Sequence, residues 1–306
     1  MRSFAGRASL AYTGFMDELA AEPLIAAENA ARVGDADAAR TVCPSCRSAS
    51  PFGANFCPLC GGPVAQPRPL GEGKVPWTFL DMGKAIGFIV GGVLLSFIPL
   101  LIAIYLVAGS NPDEEDPTYL TVSIASSVVL QFLMLGAVVR FGIGKYHAPR
   151  SALGLRRPDR GGYWLPIPMV FSAYAIMIAY FSILSAFGIH PNADLPDGTF
   201  DNLGPIIAVA VLSLVFAPFC EELFFRGYIF GGLRNRWGGL WAALASGLLF
   251  GMVHAANPGA FYIVPPIAAI GALFAWGYIY SGSISASIGA HFLFNLTSFV
   301  IGVLEA

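Results

Sequence analysis

Charge is what this chain has least of. Asp, Glu, Lys and Arg make up 12% of its 306 residues, against 56% hydrophobic residues. A soluble domain carries about twice that share of charge, so the balance excludes one and points to an integral membrane protein. The formal net charge is −2, which implies no nucleic-acid partner. Histidine is scarce, at four residues. No H-E-x-x-H occurs, so the helix typical of zincin peptidases is absent. No compact apolar stretch stands near the N-terminus, and no secretory signal is read there. No convincing internal repeat is found. That lowers the case for a transporter whose buried Glu and His residues relay protons.

Of the five cysteines, four fall in VCPSCRSASPFGANFCPLCGG, as Cys43, Cys46, Cys57 and Cys60. The pattern is C-x2-C-x10-C-x2-C. Each C-x-x-C sets two thiolates on one tight knuckle, and two knuckles close a tetrahedron around Zn²⁺. A segment this short has no core of its own, so the metal must supply the folding energy. The reading is a structural zinc ribbon that resembles the short terminal ribbons of bacterial membrane proteins. Four thiolates leave no open position for a catalytic water, so its role is structural or the docking of a protein partner. A pair of disulfides in an exported domain is the alternative. Cys220, inside an apolar run, reads as a small core residue.

The chain divides on composition. Residues 1–42 are Ala-rich and read as poorly ordered, with a short helix around Met16 to Ala31. The ribbon occupies 43–62 and a Pro/Gly-rich linker 63–79. Residues 80–306 are the transmembrane domain. Apolar runs of about twenty residues mark membrane helices. Seven are expected: Phe88 to Val107, Tyr119 to Val139, Trp164 to Phe187, Leu203 to Leu233, Leu240 to Ala256, Phe261 to Tyr280, and Ile284 to Val303. The fold class is therefore an all-α polytopic membrane protein preceded by a zinc ribbon. The loops NPDEEDP and HPNADLPDGTFD lack Lys and Arg, whereas KYHAPRSALGLRRPDR and LRNRWGG are rich in them. This alternation predicts a plasma-membrane protein with its N-terminus and ribbon in the cytoplasm. A reducing compartment also favours zinc over disulfides. His147, in a basic loop, reads as solvated.

Some polar groups stand where hydrocarbon is expected. CEELFFRG places Glu221, Glu222 and Arg226 in the fourth span, GLLFGMVHAANP places His254 in the fifth, and GAHFLFN places His291 and Asn295 in the seventh. Ionisable groups in a bilayer cost about 2.5–3.5 kcal/mol each on insertion scales, so a function is their default reading. Glu222 and Arg226 are i,i+4 and can form an ion pair. Glu221 points about 100° away and is left for another task. Extending the fourth helix past the glutamates brings Glu221 to the depth of His254, His291 and Asn295 at about 1.5 Å of rise per residue. Glu221 and His254 can hold a water, and His291 and Asn295 can donate to an oxyanion. That set can hydrolyse an amide within the membrane. A second version makes Glu221, His254 and His291 ligands of a catalytic divalent metal. Taken singly, each His is equally an interhelical hydrogen bond, Asn295 is more often that than an oxyanion donor, and Phe250 is packing.

Three motifs in order then carry a family resemblance. EELFFR resembles the E-E-x-x-x-R motif of the CAAX protease and bacteriocin-processing (CPBP, formerly Abi) family of intramembrane proteases. FGMVH resembles its F-x-x-x-H motif, and HFLFN its H-x-x-x-N motif. The resemblance covers about residues 200–303. It implies Glu221 as the catalytic glutamate, His254 as its helper in activating water, and His291 with Asn295 as the oxyanion-stabilising pair. Glu222 and Arg226 are then supporting residues. It also implies a peptide or membrane-protein substrate met in the lipid bilayer. A catalytically silent scaffold or immunity factor of the same fold is the alternative, with the ribbon as its docking module.

Overall fold

A computed structural model describes residues 41–43, 46–50, 57–62, 74–108, 116–191, 198–255 and 258–305. The helix expected around Met16 to Ala31 lies outside these residues, as do 63–73 of the linker and the centres of both acidic loops. The chain forms two compact units, Met1–Pro69 and Leu70–Ala306.

In the first unit, β1 (Thr41–Val42) pairs antiparallel with β2 (Ala49–Ser50), in the register Thr41 with Ser50 and Val42 with Ala49. Two turns with one hydrogen-bond pattern surround the cysteines. Arg47 N donates to Cys43 O at 2.8 Å and Cys43 N to Ser48 O at 2.9 Å. Fourteen residues on, Gly61 N donates to Cys57 O at 2.9 Å and Cys57 N to Gly62 O at 2.8 Å. Each turn closes through a left-handed residue, Arg47 at φ 58° and Gly61 at φ 67°. Glycine takes that conformation freely, whereas arginine does so at a steric cost.

In the second unit, six helices are long and apolar enough to cross a membrane. They are α1 (Phe79–Leu106), α2 (Pro117–Tyr146), α3 (Gly162–Ala186), α4 (Leu203–Met252), α5 (Phe261–Ser281) and α6 (Ser285–Glu305). The polytopic all-α reading therefore holds, with one revision in how the spans are joined. The expected fourth and fifth spans run on as a single 50-residue element without an intervening loop. At 1.5 Å per residue it would measure about 75 Å, more than twice a hydrocarbon core. It breaks at Gly238, whose φ of 75° and ψ of 177° lie in a region open essentially to glycine alone. The two arms thus supply two apolar runs from one element.

Local chemistry explains several boundaries. Asp116 caps α2 by accepting from Thr118 N at 2.8 Å and Tyr119 N at 3.0 Å, and Pro117 suits the first turn, where its missing N–H is no loss. Gly282, at φ 70°, ends α5. Asp81, buried in the first turn of α1, accepts from Thr78 N at 2.9 Å and Tyr146 Oη at 2.6 Å, and pairs with Lys145. Trp77 Nε1 donates to Tyr228 O at 2.8 Å, which ties the start of α1 to α4.

The core sits on α4. Every residue from Leu223 to Phe230 is buried. Around them pack Met134, Met169, Phe250 and Phe274. Outward, α1 exposes Leu94, Leu95, Ile98 and Leu101, as a helix facing lipid must. The second arm of α4 packs on α5 backbone to backbone. A Cβ on Gly247 would stand 2.6 Å from Ala268 O, and one on Gly251 would stand 2.6 Å from Val264 O. Small residues four apart allow that approach.

Candidate functional site

The backbone of α4 is irregular at the glutamates. Val211–Phe216 and Leu223–Phe230 are π-helical, and the α-helical turn Ala217–Glu222 lies between them. Pro218 accounts for the first irregularity, because its ring and missing N–H do not fit an α-helical interior. In the wider π-helical pattern, N–H of residue i reaches C=O of residue i−5, as Ala217 N reaches Leu212 O here. The next pair would be Pro218 with Ser213 O, and proline has nothing to donate. Asn295 of α6 meets that carbonyl instead, its Nδ2 donating to Ser213 O at 2.8 Å. A proline in one helix thus creates the acceptor that an asparagine from another satisfies.

Glu222 and Arg226 are fully buried and form the expected ion pair, Nη1 to Oε1 at 2.7 Å. Arg226 also donates from Nη2 to Gly271 O at 3.0 Å, and its guanidinium lies 4.3 Å from the centre of the Phe250 ring. The Gly271 carbonyl and the Phe250 face offset part of the cost of burying the pair, while Arg226 Nε and Glu222 Oε2 have no hydrogen-bond partner among the described residues.

His291 joins the pair, with Nδ1 3.0 Å from Glu222 Oε1. An ionised carboxylate only accepts, so Nδ1–H donates and Nε2 is the ring atom left to meet other groups. That atom lies 4.0 Å from Glu221 Oε2. Glu221 is 7% exposed, and its other oxygen, Oε1, accepts from Gln131 Nε2 of α2 at 2.8 Å. Among the described residues, Oε2 of Glu221 has no hydrogen-bond partner. The carboxylate is therefore held by one oxygen and presents the other.

The structure brings together Glu221, Glu222, Arg226 and His291, with Gln131 added. Asn295 lies one turn beyond His291, tied to Ser213. His254 is exposed just past the end of α4, where its Nδ1 meets Phe250 O at 2.8 Å. Its ring centre is 4.9 Å from that of Phe250, whose own lies 5.8 Å from that of His291. Phe250 is thus packing shared by the two histidines. Both rings are held through Nδ1 and keep Nε2 for other work.

Gln131 is the residue that sequence reading passed over. Its signal was present in VVLQFLML, a lone amide in the middle of the second span, where an unpaired polar side chain is costly. What the sequence could not show is that the amide faces Glu221, 90 positions away.

The four thiols of the first unit do converge. Their sulfurs all lie within 4.8 Å of one another, with Cys43 to Cys60 and Cys46 to Cys57 each at 3.6 Å. A tetrahedron with Zn–S bonds of about 2.3 Å has edges of about 3.8 Å, so the donor set fits zinc. Cys43 and Cys57 are buried and Cys46 and Cys60 exposed, which closes the site from inside. Among the described residues these cysteines are the one His/Cys/Asp/Glu group whose ligand atoms converge this closely. Glu221, His254 and His291 form no such ligand set.

Apolar helices packed around a buried Glu–Glu–Arg–His cluster define a multi-pass membrane protein with an intramembrane ionisable site. Residues 203–297 match the family described as "Type II CAAX prenyl endopeptidase Rce1-like". That segment, which holds all three motifs, is an Rce1-like domain of the CAAX protease (CPBP) family. Two relatives come from Bacillus subtilis (strain 168). "Putative membrane peptidase YdiL" is 27% identical over 241 residues, which cover 73% of this chain and 91% of the relative. "Uncharacterized protein YyaK" is 27% identical over 243 residues, covering 75% and 79%. No solved structure matches the chain.

Proposed function

We propose that this protein is an intramembrane endopeptidase that hydrolyses a peptide bond with water activated by Glu221. One observation carries the reading: a buried carboxylate in a membrane helix is held by Oε1 and leaves Oε2 unpartnered, 4.0 Å from His291 Nε2. A water about 2.8 Å from each atom fits on that base. Glu221 takes the proton as the oxygen attacks the carbonyl carbon and later delivers it to the leaving nitrogen. His254, with Nδ1 committed to Phe250 O, keeps Nε2 to assist that transfer. His291 can donate from Nε2 to the oxyanion when protonated, and Asn295 has a second amide hydrogen for the same oxygen. Glu222 and Arg226 hold His291 in place.

The substrate class is a peptide or membrane protein reaching the site through the bilayer. The thiol cluster is proposed to hold one structural Zn²⁺ and to dock a protein partner. Following the Lys/Arg asymmetry, the N-terminus and ribbon are assigned to the cytoplasm.

The test is cleavage of a fluorogenic peptide panel by purified protein, comparing wild type, Glu221→Gln and His254→Ala, with and without chelator. Activity lost in both variants and kept under chelator is the expected result. Equal activity in all three proteins would remove the site assignment. A folded protein without activity on any peptide would favour the catalytically silent scaffold.

A further inference from the structure

We infer that Gln131 is a positioning residue for the catalytic carboxylate, an inference that rests on the hydrolytic reading above. An amide in a membrane span is retained where another group needs it. Gln131 is 4% exposed, so it serves neither lipid nor water. Its Nε2 donates to Glu221 Oε1 at 2.8 Å. This is the one side-chain hydrogen bond that Glu221 makes among the described residues.

The consequence is geometric. A glutamate has three rotatable side-chain bonds, and its terminal torsion is broad. A single donor on Oε1 limits that torsion and aims Oε2 toward His291 Nε2, 4.0 Å away. The donor is itself well placed. One residue on in α2, Phe132 packs edge-on against Phe216, with ring centres 5.4 Å apart. Phe216 is the last residue of the π-helical stretch just before the glutamates. Helix α2 is thus keyed to α4 beside the site, and Gln131 projects from that keyed stretch.

Reach, rather than polarity, is what this role demands. Asn is one methylene too short to hold a 2.8 Å bond from the same backbone position. The Nε2 of His sits roughly where the Nε2 of Gln does. Met keeps the length and volume of Gln but has nothing to donate.

The experiment uses the full-length protein in detergent and a peptide that wild type cleaves and Glu221→Gln does not. That pair of controls secures the hydrolytic reading separately, so its failure shows there and not in Gln131. Gln131→Met and Gln131→Asn are expected to lower kcat by about 10- to 100-fold, the scale of a misaimed catalytic group. KM should stay within about twofold, because ground-state binding is not touched. Gln131→His should recover several-fold over Gln131→Asn. Thermal midpoints measured alongside report folding. A kcat that is unchanged in Gln131→Met would overturn the inference. So would Asn performing as well as His, a rise in KM that accounts for the loss, or losses that simply follow the thermal midpoints.

Discussion

The thiol cluster and the membrane cluster each gather polar side chains around a point, but they assemble over different distances along the chain. The four cysteines lie within 18 residues, each pair on a turn whose hydrogen bonds repeat fourteen positions later. The membrane cluster draws Gln131 from α2, Glu221, Glu222 and Arg226 from α4, and His291 from α6. In the first case local turns bring the ligands together. In the second, three helices must pack in one register before any two of the groups meet, apart from the i,i+4 pair within α4. A site of the first kind announces its geometry in its spacing. A site of the second announces only its ingredients.

Removing the metal should divide the two regions most sharply. Structural zinc contributes about 10–16 kcal/mol to the folding of small ribbons. Chelation or Cys57→Ser is expected to take the zinc content from about one ion per chain to none, read by elemental analysis. Cleavage of a short peptide by the membrane unit should survive. Loss of that cleavage with the zinc would show that the two regions are not independent.

Glu221→Gln comes next. Removal of a general base costs about 10²- to 10⁴-fold. A fall in kcat of at least about 10³-fold is expected here, with zinc content unchanged. Arg226→Met leaves Glu222 buried without its cation, and breaking such a pair costs about 3–5 kcal/mol. Thermal unfolding in detergent should show a large drop in the midpoint of the membrane unit. Asn295→Leu removes one interhelical hydrogen bond, worth about 0.6 kcal/mol on average in membrane proteins. It should lower the midpoint slightly and kcat much more. Equal small effects on both would make Asn295 a packing residue.

The smallest effect is expected at the start of α2. The backbone N–H groups of Tyr119 and Thr118 hold the Asp116 carboxyl below its usual value. A lowered folded-state value stabilises above the unfolded value and is lost as pH falls through the folded one. The midpoint difference between wild type and Asp116→Ala should therefore be present at neutral pH and vanish in strong acid. A difference that is flat with pH would mean that the cap contributes through shape alone.

Much of this was legible beforehand, though unevenly. The Cys43–Cys60 spacing announced a convergence of thiols. The apolar runs announced the helices, since length and composition suffice for that, and the expected fourth and fifth spans are parted by a break at Gly238 rather than by a longer loop. The Glu222–Arg226 pair followed from helical periodicity. That period failed as a guide to the backbone around it, because Pro218 and the π-helical turns interrupt it. Depth put His254 and Glu221 at one level of the membrane, and could not show that His254 Nδ1 is held by Phe250 O while Nε2 is left for other groups. Depth constrains one coordinate of three.

By itself, then, the sequence determined composition, the apolar segments, the metal-ligand spacing and the identity of the intramembrane groups. These properties depend on residues close together along the chain. The tertiary structure alone decided which partner each group would have: Gln131 for Glu221, His291 for Glu222, and Asn295 for the Ser213 carbonyl. The physical reason is that a hydrogen bond between helices depends on their rotation and register to within an ångström. Those are set by the packing of many side chains at once, such as Phe132 on Phe216 and Gly247 against α5.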